Sequence, residues 1–275
     1  MPYKNNRMKF AENKELVAPE EIREAVEDLQ LAIDLKQKPV GVKFLNTKEA
    51  YDEAPGRAPK SKLAYCQMIA YARKGKMIKS TVEHHLCDGA TTALGLEAST
   101  PKIESGEEYF SYHLFECRAA ARRLRASIQS LDGRQVQTYG IVVGPADQFA
   151  TAPDLVILIV DPYQTMRLVQ GYEYKTGKPA AMHIGAMQAM CSELTAVPLL
   201  SGEINVSVLC PSTRMLCHWK KEDMGIAIPF EKFYEVVDGV FATMSTTESK
   251  PSKRAIIARF AAAGRTLDLD PNVGY

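Results

Sequence analysis

The sequence predicts an α/β (α+β) protein in which two degenerate halves, related by a pseudo-twofold axis, surround a mixed sheet flanked by helices. Three observations predict it. Apolar runs bounded by Gly and Pro alternate with stretches of helical periodicity. Short motifs recur in the same order in the two halves of the chain. The 275 residues, 46% hydrophobic and 24% charged, suffice for one large integrated globular unit.

Residues 1–17, rich in Lys, Asn and Glu, form a polar arm. Pro19 suits the first turn of a helix, and Glu20, Glu21 and Glu24 suit its positive end; Ile22, Val26, Leu29 and Ile33 then repeat at helical spacing as far as Pro39. PVGVKFL (39–45) reads as a strand, followed by a loop with Pro55, Gly56 and Pro59. Residues 63–74 and 81–94 read as helical, and 116–130 as a strong helix rich in Ala, Leu and Arg. GIVVGP (140–145), DLVILIVDP (154–162) and GIAIP (225–229) are buried strands. Helices at 164–175, 185–200 and 230–241 follow, and KRAIIARFAAAGR is a last helix suited to packing on a partner subunit in a homo-oligomer.

The internal comparison matches GIVVGPADQF with GIAIPFEKF, PVGVKFL with DLVILIV, and SGEEYF with SGEINV. In that register Cys87 falls on Cys191. The chain divides into an arm and helix (1–36), a first half (37–150), a second half (151–244) and a C-terminal tail with its helix (245–275).

Thirty-four Lys and Arg against thirty-three Asp and Glu leave a formal charge of +1, which gives neither nucleic acid nor an acidic membrane surface an attracting field. No apolar run reaches the ~18 residues of a membrane span. The opening MPYKNNRMKFAENKEL is too polar for a secretory signal, so a cytoplasmic location is expected. In that reducing compartment the six cysteines are thiols, metal ligands or nucleophiles rather than a disulfide framework.

Several common sites are absent: no G-x-G-x-x-G follows a strand, and neither H-E-x-x-H nor G-x-S-x-G occurs. Gly171…Gly177-Lys178 has the wrong spacing for a phosphate loop, and Arg214 comes too early after Cys210 for a phosphatase thiolate loop. Three readings of the cysteines remain open. They are buried inert thiols; or Cys66, Cys87, Cys191 and Cys210, beside Gly- or Pro-punctuated segments, bind an iron–sulfur cluster or zinc; or Cys87 is a nucleophile activated by His84 and His85. Cys117 and Cys217 fall outside the set of four and are expected to be inert. Arg118, Arg122 and Arg125 make a basic stripe at helical spacing.

PVGVKFL, CQMIAYARKGK, EHHLCDGATTALGLE, SGEEYF, PDLVILIVDPYQTMRLVQGYEYKTG and CSELTAVPLLSGEINVSVLC, with Arg214 and GIAIP after them, resemble the domain-of-unknown-function family numbered 169, found mostly in anaerobic archaea and bacteria. The resemblance spans about 35–243. It implies cysteines at the positions of Cys66, Cys87, Cys191 and Cys210 and an arginine at Arg214, and it brings no reaction with it. Two departures stand out: Cys210-Pro211-Ser212 replaces Cys-x-Gly, and Asp88-Gly89-Ala90 replaces Gly-Gly.

The expectation is therefore an iron–sulfur enzyme of anaerobic metabolism, an oxidoreductase or lyase acting on a small-molecule substrate. Cys66, Cys87, Cys191 and Cys210 hold a [4Fe-4S] cluster at the seam of the halves, and Arg214, Lys43, His84 and His85 orient substrate or move protons. The alternatives are a carrier of a tetrapyrrole or other flat cofactor, and a zinc-stabilised structural module.

Overall fold

Six apolar or β-branched segments hydrogen-bond into one sheet: β1 (Val40–Leu45), β2 (Ile78–Thr81), β3 (Gly140–Pro145), β4 (Leu155–Val160), β5 (Asn205–Ser207) and β6 (Met224–Pro229). The structure is a computed structural model that describes residues 19–131 and 138–274, so the polar arm expected at 1–17 lies outside the described residues. The strand order is β2-β3-β1-β4-β6-β5. Every pairing between these strands is antiparallel, where a mixed sheet was expected. The reason is topological. β1 and β2 run in the same direction, but β3 lies between them and opposes both, and β6 does the same between β4 and β5.

That order reads identically from either edge when β1, β2 and β3 are exchanged for β4, β5 and β6. The exchange axis passes between β1 and β4, which pair through Val40–Ile157, Gly41–Val156 and Val42–Leu155. β4 is buried along its whole length, which explains its unbroken apolar run. β1 alternates, with Val40 and Val42 facing one layer of helices while Lys43 points the other way.

Twelve α-helices are described: α1 (Pro19–Ala32), α2 (Lys48–Glu53), α3 (Tyr65–Ala72), α4 (Asp88–Ala93), α5 (Pro101–Glu104), α6 (Glu107–Phe110), α7 (Arg118–Ser127), α8 (Pro162–Thr176), α9 (Val197–Ser201), α10 (Pro211–Cys217), α11 (Phe230–Thr247) and α12 (Lys250–Ala262). α1, α8, α11 and α12 cover the sheet face that carries Val156, Leu158, Ile226 and Ile228. α8 begins where Asp161 caps the Gln164 amide, with Pro162 in the first turn. It crosses α11 at Gly171 and Gly239, so closely that a Cβ on Gly239 would stand 2.0 Å from the Gly171 carbonyl oxygen. Arg167 and Glu248 form a buried ion pair at 2.9 Å between the same two helices.

The C-terminal helix packs apolar residues within its own chain. Ile256 and Phe260 join the core beside α1, and Phe260 meets Phe241 of α11 edge to face. Arg259 Nε donates to the Leu31 carbonyl at 2.8 Å, and Arg265 pairs with the buried Asp28.

The opposite sheet face, with Val40, Val42, Ile141, Val143, Leu155 and Ile157, is covered by α3, α4, α9, α10 and a π-helical segment, Ala189–Ala196. Over this layer lies an insertion of the first half, α5–α7. Its own small core of Ile103, Tyr109, Ala121 and Ile128 closes on Met187 of the second half. The basic stripe of α7 serves this insertion, since Arg125 bonds Glu104 at 2.6 Å and Arg118 reaches Glu107 at 3.3 Å.

Candidate functional site

Between the second helical layer and the α5–α7 insertion lies a cavity of about 90 Å³, room for several waters. Its wall contains Cys66, Cys87, Cys191 and Cys210. Each thiol arrives on a different element, and the placement follows the strand exchange. Cys66 lies between β1 and β2 at the start of α3, and Cys191 lies between β4 and β5 in the π-helical segment. Cys87 follows β2 as the N-cap of α4, and Cys210 follows β5 as the N-cap of α10. Short local patterns agree: Ala64-Tyr65-Cys66 matches Ala189-Met190-Cys191, and Leu86-Cys87 matches Leu209-Cys210. The topology thus pairs Cys87 with Cys210, and Cys66 with Cys191. The sequence register that set Cys87 against Cys191 is displaced because α8 precedes the second pair and the α5–α7 insertion follows the first.

The π-helical segment turns Cys191 inward. It starts at Gln188, a left-handed residue with φ 53°, and an irregular turn of this kind often marks a functional position. Gln188 Nε2 donates to the Gly89 carbonyl at 2.9 Å and to the Tyr109 hydroxyl at 2.7 Å. A Cβ on Gly89 would stand 2.4 Å from that nitrogen, so Gly89 keeps the link between α4, the insertion and the π turn open. Thr195 Oγ1, which donates to the Met190 carbonyl at 2.8 Å, meets the buried Tyr65 hydroxyl at 3.0 Å.

The four thiols differ electrostatically. Burial pushes Cys191 well above its ordinary value, reinforced by the neighbouring Cys87, Cys210 and Cys66. Burial also raises Cys87 and Cys210, opposed by backbone amides of Ala90 and Gly89 at the first and of Thr213 and Ala189 at the second. Cys66 is the exception. The neighbouring Cys217 thiol holds it below its ordinary value, with further help from Thr213 and the Gln67 amide. Among the described residues the remaining wall carries Tyr65, Tyr109, Tyr112, Met187 and Met190 and no Lys, Arg or His. Its one carboxylate, Glu108, is held below its usual range by Lys102 and by the Tyr112 hydroxyl.

The donor set fits a thiophilic group: four sulfur atoms converge on one cavity, and backbone amides reach the sulfurs of Cys66, Cys87 and Cys210. As the side chains stand, no group of three or more His, Cys, Asp or Glu among the described residues is placed to hold a metal ion. Holding a shared centre would therefore require the thiols to move from these positions.

The other residues singled out in the sequence do not line the cavity. Lys43, on the far side of β1, donates to the Ala152 carbonyl at 2.8 Å. His85 is buried with Nε2 3.1 Å from Ser80 Oγ, and burial lowers it to about 4, so it is neutral near pH 7. His84 Nδ1 accepts from the Thr81 amide at 3.1 Å. Arg214 donates to the carbonyls of Lys220, Val208 and Asp223 and so ties the loops around α10. Cys117 is exposed at the start of α7. Cys217, at the end of α10, packs against the core that includes Cys66 without lining the cavity. The signal was present in the spacing: Cys210, Thr213 and Cys217 recur at helical intervals on α10.

The chain is thus an α/β protein with an antiparallel sheet and a cavity whose wall includes four thiols. The family model DUF169, described as Uncharacterised ArCR, matches residues 28–239, and the chain belongs to that family. It is also similar to an uncharacterized protein of Methanocaldococcus jannaschii, at 27% identity over 222 residues covering 80% of this chain and 94% of that one. No solved structure matches. No described helix is long and apolar enough to cross a membrane.

Proposed function

We propose that this protein is an iron–sulfur-dependent enzyme in which Cys66, Cys87, Cys191 and Cys210 hold a [4Fe-4S] cluster for redox or lyase chemistry on a small organic substrate. The observation that carries the reading is convergence: thiols from four elements and both halves line one apolar cavity. Soft sulfur donors without competing histidine favour such a cluster, and amides directed at the sulfurs are a usual means of tuning it. When bound, the cluster supplies electron transfer, or a Lewis-acidic iron if one thiolate gives way.

The chain's own residues define the remainder of the site. Among its described residues the wall offers no cationic side chain to a carboxylate or phosphate, which supports an uncharged small molecule as substrate. Tyr109 accepts from Gln188 and keeps its own O–H available to donate, and burial raises its pKa so that the proton stays in place. Tyr109 on α6 and Tyr112 just after it complete the wall beside the thiols. Lys43, His84, His85 and Arg214 are not part of the proposed site. A reducing cytoplasm is the compartment the reading requires.

Zinc is the second reading, favoured by the same all-sulfur donor set. A tetrapyrrole fits less well, since about 90 Å³ falls below the roughly 300–1,000 Å³ of clefts that take larger ligands. The test is isolation without oxygen followed by iron, sulfide and zinc analysis of the wild type and the Cys→Ser variants. Brown protein with about four irons and four sulfides per chain, lost in C66S, C87S, C191S and C210S and kept in C117S, supports the cluster. A colourless, iron-free protein after reconstitution with iron and sulfide overturns it, and stoichiometric zinc in that protein selects the structural module.

A further inference from the structure

Opposite the thiols, the cavity wall holds two polar side chains whose hydrogen-bonding capacity is only partly used. Gln188 enters it from the turn ahead of the π-helical segment, in a left-handed conformation (φ 53°, ψ 38°) that a residue with a side chain adopts at a cost. Its amide is fixed in one orientation. The Gly89 carbonyl only accepts, so the nitrogen is the atom that faces it at 2.9 Å. The second N–H goes to the Tyr109 hydroxyl at 2.7 Å. With both N–H groups committed, Gln188 Oε1 keeps its lone pairs and has no hydrogen-bond donor among the described residues. Tyr109 is 2% exposed, and its hydroxyl spends a lone pair on Gln188, so its own O–H remains to be donated and meets no acceptor among the described residues.

A free acceptor and a free donor thus stand one hydrogen bond apart, in a wall that also carries Ala90, Met187, Ala189 and Met190. A ligand that satisfies both carries a donor next to an acceptor. It is uncharged, because the described wall holds no cation to pair with it, and small, since about 90 Å³ suits roughly five non-hydrogen atoms. We propose that Gln188 and Tyr109 are the specificity-determining pair of this site and that they select a small primary or secondary carboxamide. Its N–H donates to Gln188 Oε1, and its carbonyl accepts from the Tyr109 hydroxyl. The pair rests on the reading of this cavity as a small-molecule site and requires no cluster.

Met187 and Met190 supply the reporters. Full-length protein with isotope-labelled methionine methyl groups, kept reduced, is titrated by NMR before and after reconstitution with iron and sulfide. The probes are propionamide, butanone, which lacks the N–H, propionate, which is charged, and isopropanol, which offers one hydroxyl. In the metal-free protein propionamide should shift the Met187 and Met190 signals saturably, with butanone and propionate binding at least about tenfold more weakly. Y109F should weaken propionamide about tenfold while leaving the methyl spectrum of the free protein otherwise in place. Equal affinities for propionamide and butanone, no saturable shift with propionamide, or a well-folded Y109F that binds it as tightly as wild type overturns the proposal. Isopropanol binding more tightly than propionamide assigns the pair to a hydroxyl and overturns it too. If Y109F does not fold, the ligand series in the wild type decides alone. Propionamide binding by a protein that takes up no iron ends only the cluster reading, and iron uptake without propionamide binding ends only the carboxamide assignment.

Discussion

Replacing Glu193 by Gln should expose a hidden pH dependence of stability. Glu193 sits in the π-helical segment, 3% exposed, where its carboxylate oxygens accept from the Gly185 amide at 2.8 Å and from Ser207 Oγ. Burial raises its pKa from 4.5 to about 7. The unfolded chain releases this proton near pH 4.5 and the folded chain near 7, so folding loses stability as pH rises through that window, by about 3 kcal/mol at most. His85 runs the other way. Burial lowers it from 6.5 to about 4, so the unfolded chain takes up a proton that the folded chain refuses. Stability is lost as pH falls through 6.5 toward 4, again by about 3 kcal/mol at most.

The two slopes overlap and largely offset each other. Glutamine preserves the shape of the site and can still accept from Gly185, while Ser207 Oγ retains the Leu209 amide at 3.0 Å. Urea unfolding of wild type and E193Q at pH 4 to 8 isolates the carboxyl. The difference between them should be near zero at pH 4 and should grow to about 3 kcal/mol in favour of E193Q at pH 8. Parallel profiles, or an E193Q protein less stable than wild type at pH 8, would refute the assignment of a buried, protonated Glu193.

Three other substitutions probe the frame around the site. G239A places a methyl group against the Gly171 carbonyl and should cost about 3 kcal/mol by forcing α8 and α11 apart, read as a lowered thermal midpoint. E248A leaves Arg167 buried without its counter-charge and should cost about 3–5 kcal/mol in denaturant unfolding. R214A removes the donor that ties three carbonyls around α10 and should cost about 1–3 kcal/mol. Its iron content after reconstitution should match the wild type, because Arg214 does not face the cavity.

The long elements were legible because burial on both faces or on one stripe writes a strong pattern. β3 (Gly140–Pro145) and β4 (Leu155–Val160) stand out as apolar runs, and α1 shows its buried Ile22, Val26 and Leu29 at helical spacing. β2 and β5, with sequences IKST and NVS, are too short and polar to show, and without them the order of the sheet could not be read. The π-helical segment keeps helical composition, so its extra residue per turn leaves no trace in periodicity. The four cysteines were separable from the other two by their Gly- and Pro-rich surroundings. That Cys217 packs against the same core as Cys66, which stands on α3, is a proximity only tertiary structure reveals. Lys43, His84, His85 and Arg214 looked reactive in the chain, yet each has structural partners outside the cavity.

Diffraction from crystals grown without oxygen, with data collected on both sides of the iron absorption edge, asks the central question outright. The expected result is a compact group of anomalous peaks within bonding distance of the sulfur atoms of Cys66, Cys87, Cys191 and Cys210. Iron density bound anywhere else in the chain, or four reduced thiols around a cavity that no reconstitution fills, would contradict it.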